Sequence, residues 1–344
     1  MQTEELTERE RQVFLSIVHG FIKTAEPIGS RYLSKNYDLN ISPATIRNVM
    51  MDLEEKGLII QPHTSAGRIP TTTGYRQYVN SLMDVPRLSL AEKKSIIAQL
   101  EGFSQDVSLI IQEATKVLSK ISSQLGLVLT PRFNKGRISK IELVPLANHK
   151  LLLVLNVKGG LVKTVIVEVE KDLPRHRLES TQSVLNERLY DLSLEEMQKA
   201  ITERFSDVDT DIVLLLKSIK DRSDQFKFEN DLEFHFAGAK NVISQPEFET
   251  RDKIEKILEL LDRKDIIVKI LDGQEAPGVS IVIGDENQED LMKNCSLITT
   301  SYSFDNAKGT LGVIGPTRMQ YSKIVALVEF MAETLSYLVS KNNN

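Results

Sequence analysis

Three features of the sequence predict an α+β protein. Helical periodicity fills the first eighty residues, apart from one short hairpin pattern. Strand-like runs begin near residue 137. A charged helical block then breaks these runs before they resume and end in a closing helix, as in an α+β domain split by an insertion. A chain of 344 residues is long enough for two or three domains. Divisions are expected at 1–84, 85–171, 172–245 and 246–344, with the third segment inserted between the two parts of one domain.

The helices of the first segment justify themselves in order. "LTERERQVFLSIVHGFIKTA" places Val13, Phe14, Ile17, Val18, Phe21 and Ile22 on one face, with Thr7 and Glu10 at capping-box spacing. Pro27 and Gly29 end that helix, and Ser30 is the expected cap of a short second helix containing Leu33. "ISPATIRNVMMDLEEKGLI" is the clearest helix, with Ser42 as cap, Pro43 in the first turn and Gly57 as the stop. Its inward stripe is Ile46, Val49, Met50 and Leu53, which leaves Ala44, Thr45, Arg47 and Asn48 outward near its start.

Three helices with a polar, small-residue start to the third describe a helix-turn-helix, whose third helix enters a major groove. There Arg pairs with guanine and Asn with adenine. A generic three-helix packing unit with a solvated polar face is the alternative. "LIIQ" and "GRIP" then read as two short strands joined by "HTSA", a hairpin in the position of a wing. Lys56, Arg68 and Arg76 give the stretch to Val79 three cations and no carboxylate of its own. Thr64, Ser65 and the backbone N–H groups of Ala66 and Gly67 are suited to phosphate oxygens, and Arg68 is expected at the backbone or in a minor groove. The candidate DNA-facing set is Ser42, Ala44, Thr45, Arg47, Asn48, Thr64, Ser65, Gly67 and Arg68. No P-loop is present, because no Gly-Lys-Ser/Thr follows a strand. Pro70 and the following threonines start a fourth helix, "TTTGYRQYVNSLM".

Ser89 and Glu92 open one long helix or two, with apolar residues at Ile96, Leu100, Phe103, Val107, Ile110, Ala114, Val117 and Ile121. Gly102 and the lack of flanking charge pairs favour a helix laid on a sheet over a coiled-coil seam. "RISKIELVPL", "KLLLVLNVKGG" and "LVKTVIVEVE" read as strands, the last two joined as a hairpin at Gly159-Gly160. Residues 172–245 read as charged helices. Strands are expected again at "KDIIVKIL", "VSIVIG", "CSLITTSYSF" and "GTLGVIGPT". The closing helix "RMQYSKIVALVEFMAETLSYLVSK" carries Ile324, Leu327, Val328, Met331, Leu335 and Leu338 on one face. Gly309, Gly312 and Gly315 follow no dinucleotide-fold opening, so they read as strand and turn geometry.

Composition narrows the function. Hydrophobic residues make up 41% and charged residues 26%, as in ordinary globular proteins. The net charge of −5 means that any nucleic acid must be met by a local patch. The single cysteine, Cys295, reads as a core residue and excludes an internal disulfide or a multi-cysteine zinc site. The polar, acidic "MQTEELTERE" is no signal or transit peptide, and no apolar run reaches the length of a membrane span, so a cytoplasmic protein with no membrane partner is expected. His19, His63, His149, His176 and His235 are scattered, no Gly-x-Ser-x-Gly elbow occurs, and Glu54-Glu55 and Glu195-Glu196 read as solvated helix faces. Neither an enzyme, a metal nor a cofactor is expected.

"SPATIRNVMMDLEEKGLI" followed by "HTSAGRIPTTTGYRQYV" resembles the N-terminal winged helix of the HrcA heat-inducible transcription repressors, with "SAGRIPT" the most specific word. The resemblance is strong over residues 5–83 and continues more diffusely to "GTLGVIGPTRMQY". It implies a GAF-like domain carrying an inserted dimerisation domain. It further implies a homodimer on double-stranded DNA at the inverted repeat CIRCE, upstream of chaperone operons, with the GroE chaperonin as partner and loss of DNA binding on heating. A metabolite-responsive regulator is the other reading, and a non-DNA scaffold that uses the helical unit for protein contacts is a third.

Overall fold

A computed structural model describes residues 5–103, 107–131, 137–158, 161–169, 173–205, 208, 212–213, 215–217, 234–272, 278–304 and 307–341. The N-terminal unit consists of α1 (Glu8–Thr24), α2 (Ser30–Asn36), α3 (Pro43–Glu55), a hairpin of β1 (Ile59–Ile60) and β2 (Ile69–Pro70), and α4 (Thr72–Gln77), which runs on into a π-helical turn to Leu82. The capping box of Thr7 and Glu10 forms as expected. The second helix differs in its cap: Ser30 is its first residue, and Gly29, in an extended conformation, precedes it without a side-chain cap. Ser42 does cap α3, and its hydroxyl accepts the Thr45 N–H. Gly57 has φ of 69°, a left-handed conformation that suits glycine at the helix end.

Of the two alternatives opened at Ser89, the structure has two helices, α5 (Leu90–Glu101) and α6 (Val107–Ser122). β3 (Leu125–Leu129) follows, and it joins a five-stranded antiparallel sheet in the order β7-β3-β10-β9-β8. The other members are β7 (Phe234–Ala237), β8 (Ser280–Ile283), β9 (Cys295–Phe304) and β10 (Ala307–Pro316). Helices cover both faces of this sheet. Val128, Ile298, Leu311 and Val313 share a core with α6 and the closing helix Tyr321–Lys341. Leu125, Leu127, Leu129, Leu297 and Ile314 face the other way, onto the helices Arg251–Asp262 and Lys264–Asp272. "KDIIVKIL" is therefore helical, not a strand. A short apolar run satisfies either period, and here Ile266, Ile267 and Leu271 form a buried helical stripe. The six apolar positions expected on the closing helix are all buried.

A second, separate set of strands and helices lies between β3 and β7 in the chain. β4 (Ile138–Leu146), β5 (Lys150–Val157) and β6 (Leu161–Glu168) form a separate three-stranded sheet. α7 (Arg175–Leu189) packs on it, followed by α8 (Leu194–Glu203). The expected boundary at 172 would separate this sheet from its helix. The boundary at 245 would separate β7 from β3, although Gly126–Leu129 pair with Phe234–Ala237. The strands of the smaller sheet thus fall in sequence between β3 and β7, which pair with each other. α7 also covers the free edge of β4: the Asn186 amide bonds both the N–H and the C=O of Ile141 at 2.7 Å, and Gln182 accepts the Leu143 N–H. β5 and β6 pair as a hairpin from Val157 and Leu161 outward; Gly159 and Gly160 lie outside the described residues.

Cys295 is fully buried, and burial pushes its thiol pKa up to about 12, which leaves it an inert core group. Gly309, Gly312 and Gly315 lie on β10, and each is pressed by a neighbour. A Cβ on Gly312 would lie 2.3 Å from the Ile298 carbonyl oxygen of the paired strand. Because backbone cannot yield as a side chain can, Gly312→Ala should destabilise the protein by about 1–3 kcal/mol. Chemical denaturation should show the loss as a lower midpoint with an unchanged slope.

Candidate nucleic-acid interface

The outward residues of α3 stand where their periodicity puts them. Ile46, Val49, Met50 and Leu53 are buried, while Ala44, Arg47 and Asn48 are exposed. Thr45 is half-buried, and its hydroxyl lies 2.9 Å from that of Ser42, so these two side chains serve the helix start. Arg47 makes no ion pair among the described residues. Neither do Arg31 and Lys35, exposed one turn apart on α2, the helix that packs against α3. Charge order alone did not single these two out; their exposure beside α3 does.

At the hairpin tip Thr64 and Ser65 are exposed. The loop is internally braced: Ala66 N–H bonds the His63 carbonyl, and the Gln61 amide donates to the carbonyls of Thr64 and Ala66 at 3.0 Å. Gly67 and Arg68 lie lower, against the turn between α1 and α2. Ile28 and Arg68 exchange two backbone hydrogen bonds of 2.9 Å, which adds a third, single-residue strand to the hairpin. A Cβ on Gly67 would sit 2.4 Å from the Ile28 carbonyl carbon, so glycine is required by this approach. "EPIG" contained the only hint of that bridge, a β-branched residue between two helix breakers.

The three cations of this stretch are not free, contrary to expectation. Each meets a carboxylate from outside it. Lys56 pairs with Glu10 of α1 at 2.9 Å, and Arg68 pairs with Glu54 of α3 at 2.8 Å. Arg76 pairs with Glu286, which lies just after β8 in the core. Burial pushes the Glu10 carboxyl pKa up, but hydrogen bonds from Lys56 and Thr7 outweigh this and hold it below its ordinary value. Glu54 also accepts the Gln61 N–H at 3.1 Å. The Arg68 side chain is only 17% exposed and donates Nε to the same carboxylate at 2.9 Å. Glu54, expected on a solvated helix face, is half-buried and paired, and Glu10, expected only in the cap, also holds Lys56. Nothing in the sequence signalled these pairs or the one with Glu286, because in each the two partners lie on different elements. Among the described residues no three His, Cys, Asp or Glu side chains come together to hold a metal. No helix among them is long and apolar enough to cross a membrane.

Together these features define an α+β protein with a helix-and-hairpin unit at its N-terminus. Comparison with known proteins narrows this class. The model of the HrcA protein C-terminal domain matches residues 108–325. The heat-inducible transcription repressor HrcA of Prosthecochloris aestuarii (strain DSM 271 / SK 413) is 39% identical over 355 residues, spanning 100% of both chains. The protein of the same name from Chlorobium phaeobacteroides (strain BS1) is 38% identical, over 99% of this chain and 100% of the relative. A crystal structure described as that of a hypothetical protein shares the fold, with a TM-score of 0.64 at 21% identity over 98% of this chain and 100% of that one. The chain belongs to the HrcA family.

Removing the Arg68 side chain strands the Glu54 carboxylate and frees the base of the hairpin. Arg68→Ala should cost about 1.5–3 kcal/mol, the range for a hydrogen bond to a charged group. Thermal melting should show the loss. A pure phosphate contact would instead leave melting unchanged and lower the salt dependence of DNA binding.

Proposed function

We propose that the protein is a DNA-binding transcription repressor of heat-shock genes, with residues 5–83 acting as a winged helix-turn-helix. The observation that carries this reading is the exposed Ala44, Arg47 and Asn48 at the start of α3, with Arg47 free of any described carboxylate. On this reading α3 enters the major groove, and Arg47 and Asn48 meet base edges. Arg31 and Lys35 on α2 meet phosphates, as does the hairpin tip through Thr64 and Ser65. Ser42 and Thr45 hold the helix start, and Gly67 and Arg68 hold the hairpin rather than the DNA. The names of the relatives support the repressor role. The helix-covered antiparallel sheet supports a GAF-like core. CIRCE as operator and GroE as partner remain what the sequence resemblance implies.

A two-fold operator requires a dimer, and the inserted sheet offers a surface for one. Val144, Leu152 and Ile166 lie directly opposite one another across β4, β5 and β6, on the face away from buried Leu143, Leu153 and Val165. Val144 is 40% and Ile166 46% exposed. This apolar row is flanked on one side by Lys150 and Glu168 and on the other by Glu142, a rim whose mixed signs suit self-pairing.

A metabolite-responsive regulator is the second reading. It draws on a cavity of about 390 Å³ between α1 and the core, lined among others by Ser123, Gln124, Asn241, Gln245, Arg318 and Lys323. Operator affinity measured with and without chaperonin, and with and without small metabolites, separates the two. Arg47→Ala should lower specific operator affinity by about 1–3 kcal/mol and affect random DNA less, as read by titration at fixed salt. Equal losses on both DNAs would make Arg47 a phosphate contact. Ile166→Asp should convert the dimer to monomer in sedimentation and reduce affinity for the inverted repeat more than for a half-site.

A further inference from the structure

The N-terminal unit is docked on the core by a joint of unusual composition. On one side the Arg76 guanidinium grips both oxygens of Glu286 and donates to the Ile281 carbonyl at 2.6 Å. On the other, Arg318 of the core donates to the Ile22 carbonyl near the end of α1 at 2.8 Å, while its remaining nitrogens hold Glu247. The Tyr75 ring lies 5.6 Å from that of Tyr321, the first residue of the closing helix. Tyr321 is satisfied, its hydroxyl bonding Ser296 and the Thr317 carbonyl. Tyr75 is 1% exposed, and its hydroxyl finds no hydrogen-bond partner among the described residues.

We propose that this joint is a heat-releasable clamp, that Arg76 and Arg318 are its positioning residues, and that the unpartnered hydroxyl of Tyr75 is its built-in weak point. Docking buries the Tyr75 hydroxyl without a protein partner among the described residues, which disfavours the docked state. The two arginine grips offset that cost, but both are polar contacts that water replaces once the joint opens. Within the N-terminal unit α1, α2 and α3 pack on one another and bury Phe14, Ile17, Leu33, Ile46 and Leu53, contacts that release of the joint is expected to leave in place. Opening therefore needs less free energy than unfolding either unit. The consequence for DNA rests on the repressor reading: only a clamped unit keeps one angle to the dimerisation sheet, and a two-fold operator accepts one angle.

Hydrogen exchange of the full-length chain, followed by mass spectrometry over a temperature series, tests the clamp without DNA. Peptides covering 70–82 and 281–290 should gain exchange at lower temperature than peptides from α3 or the closing helix. Tyr75→Phe should slow the joint's exchange roughly tenfold and raise the temperature at which an inverted-repeat DNA is released. Glu286→Gln should speed the exchange and lower that temperature. Joint peptides that open only with the rest of the chain would overturn the proposal, as would unchanged joint exchange in both variants. Altered exchange with an unmoved release temperature would overturn the link to DNA. Wild-type protein that ignores the inverted repeat at every temperature would instead sink the repressor reading and leave the exchange result standing.

Discussion

The Glu54 carboxylate is the point on which the N-terminal unit depends. It sits in the last turn of α3, accepts the Gln61 N–H as the chain leaves β1, and pairs with Arg68 as the chain returns toward β2. Through the Arg68 backbone the same hub reaches Ile28 and the turn between α1 and α2. One acidic side chain thereby links the helix that carries Arg47 and Asn48 to both legs of the hairpin. A two-residue ladder between β1 and β2 is too short to hold a hairpin in water unaided. The ion pair and the Ile28 bridge supply what the ladder lacks.

Charge is distributed by the same logic. Lys56, Arg68 and Arg76 are each neutralised by a partner on another element, so they position elements and add little to the outward field. Arg31, Lys35 and Arg47 remain exposed without a described carboxylate. An acidic chain can thus present a local positive surface, because salt limits the reach of distant charges to about 8–10 Å.

The core shows a different constraint, close packing on both faces of one sheet. β3 is buried at every position because α6 lies on one side and the helices from Arg251 to Asp272 on the other. β10 meets the same demand with glycine, where Gly309 is pressed by the Tyr302 ring and Gly312 by the neighbouring strand's backbone. The Tyr302 hydroxyl in turn donates to the Leu129 carbonyl at 3.1 Å, tying β9 to β3 across β10. The insertion between β3 and β7 leaves this sheet intact, because its own sheet closes separately and α7 seals the β4 edge.

Much of the local structure was legible in the sequence by itself. The caps at Thr7, Ser42 and Ser89, the stop at Gly57, the inward stripe of α3, the hairpin strands and the buried face of the closing helix all follow from spacing and from single-residue chemistry. These signals are local: they act within one or two turns, or between adjacent strands. β3 was not legible, since a strand buried on both faces loses its alternation, and "KDIIVKIL" was misread because a run so short fits either period. The limits of the insertion were decided by which strands share a ladder, and β3 finds its partners more than a hundred residues away. The partners of the three cations were likewise tertiary, because an ion pair needs only proximity in space and leaves no period in the chain. Sequence determined which residues face outward on α3, and the tertiary structure decided which of the cations nearby pair with a carboxylate among the described residues.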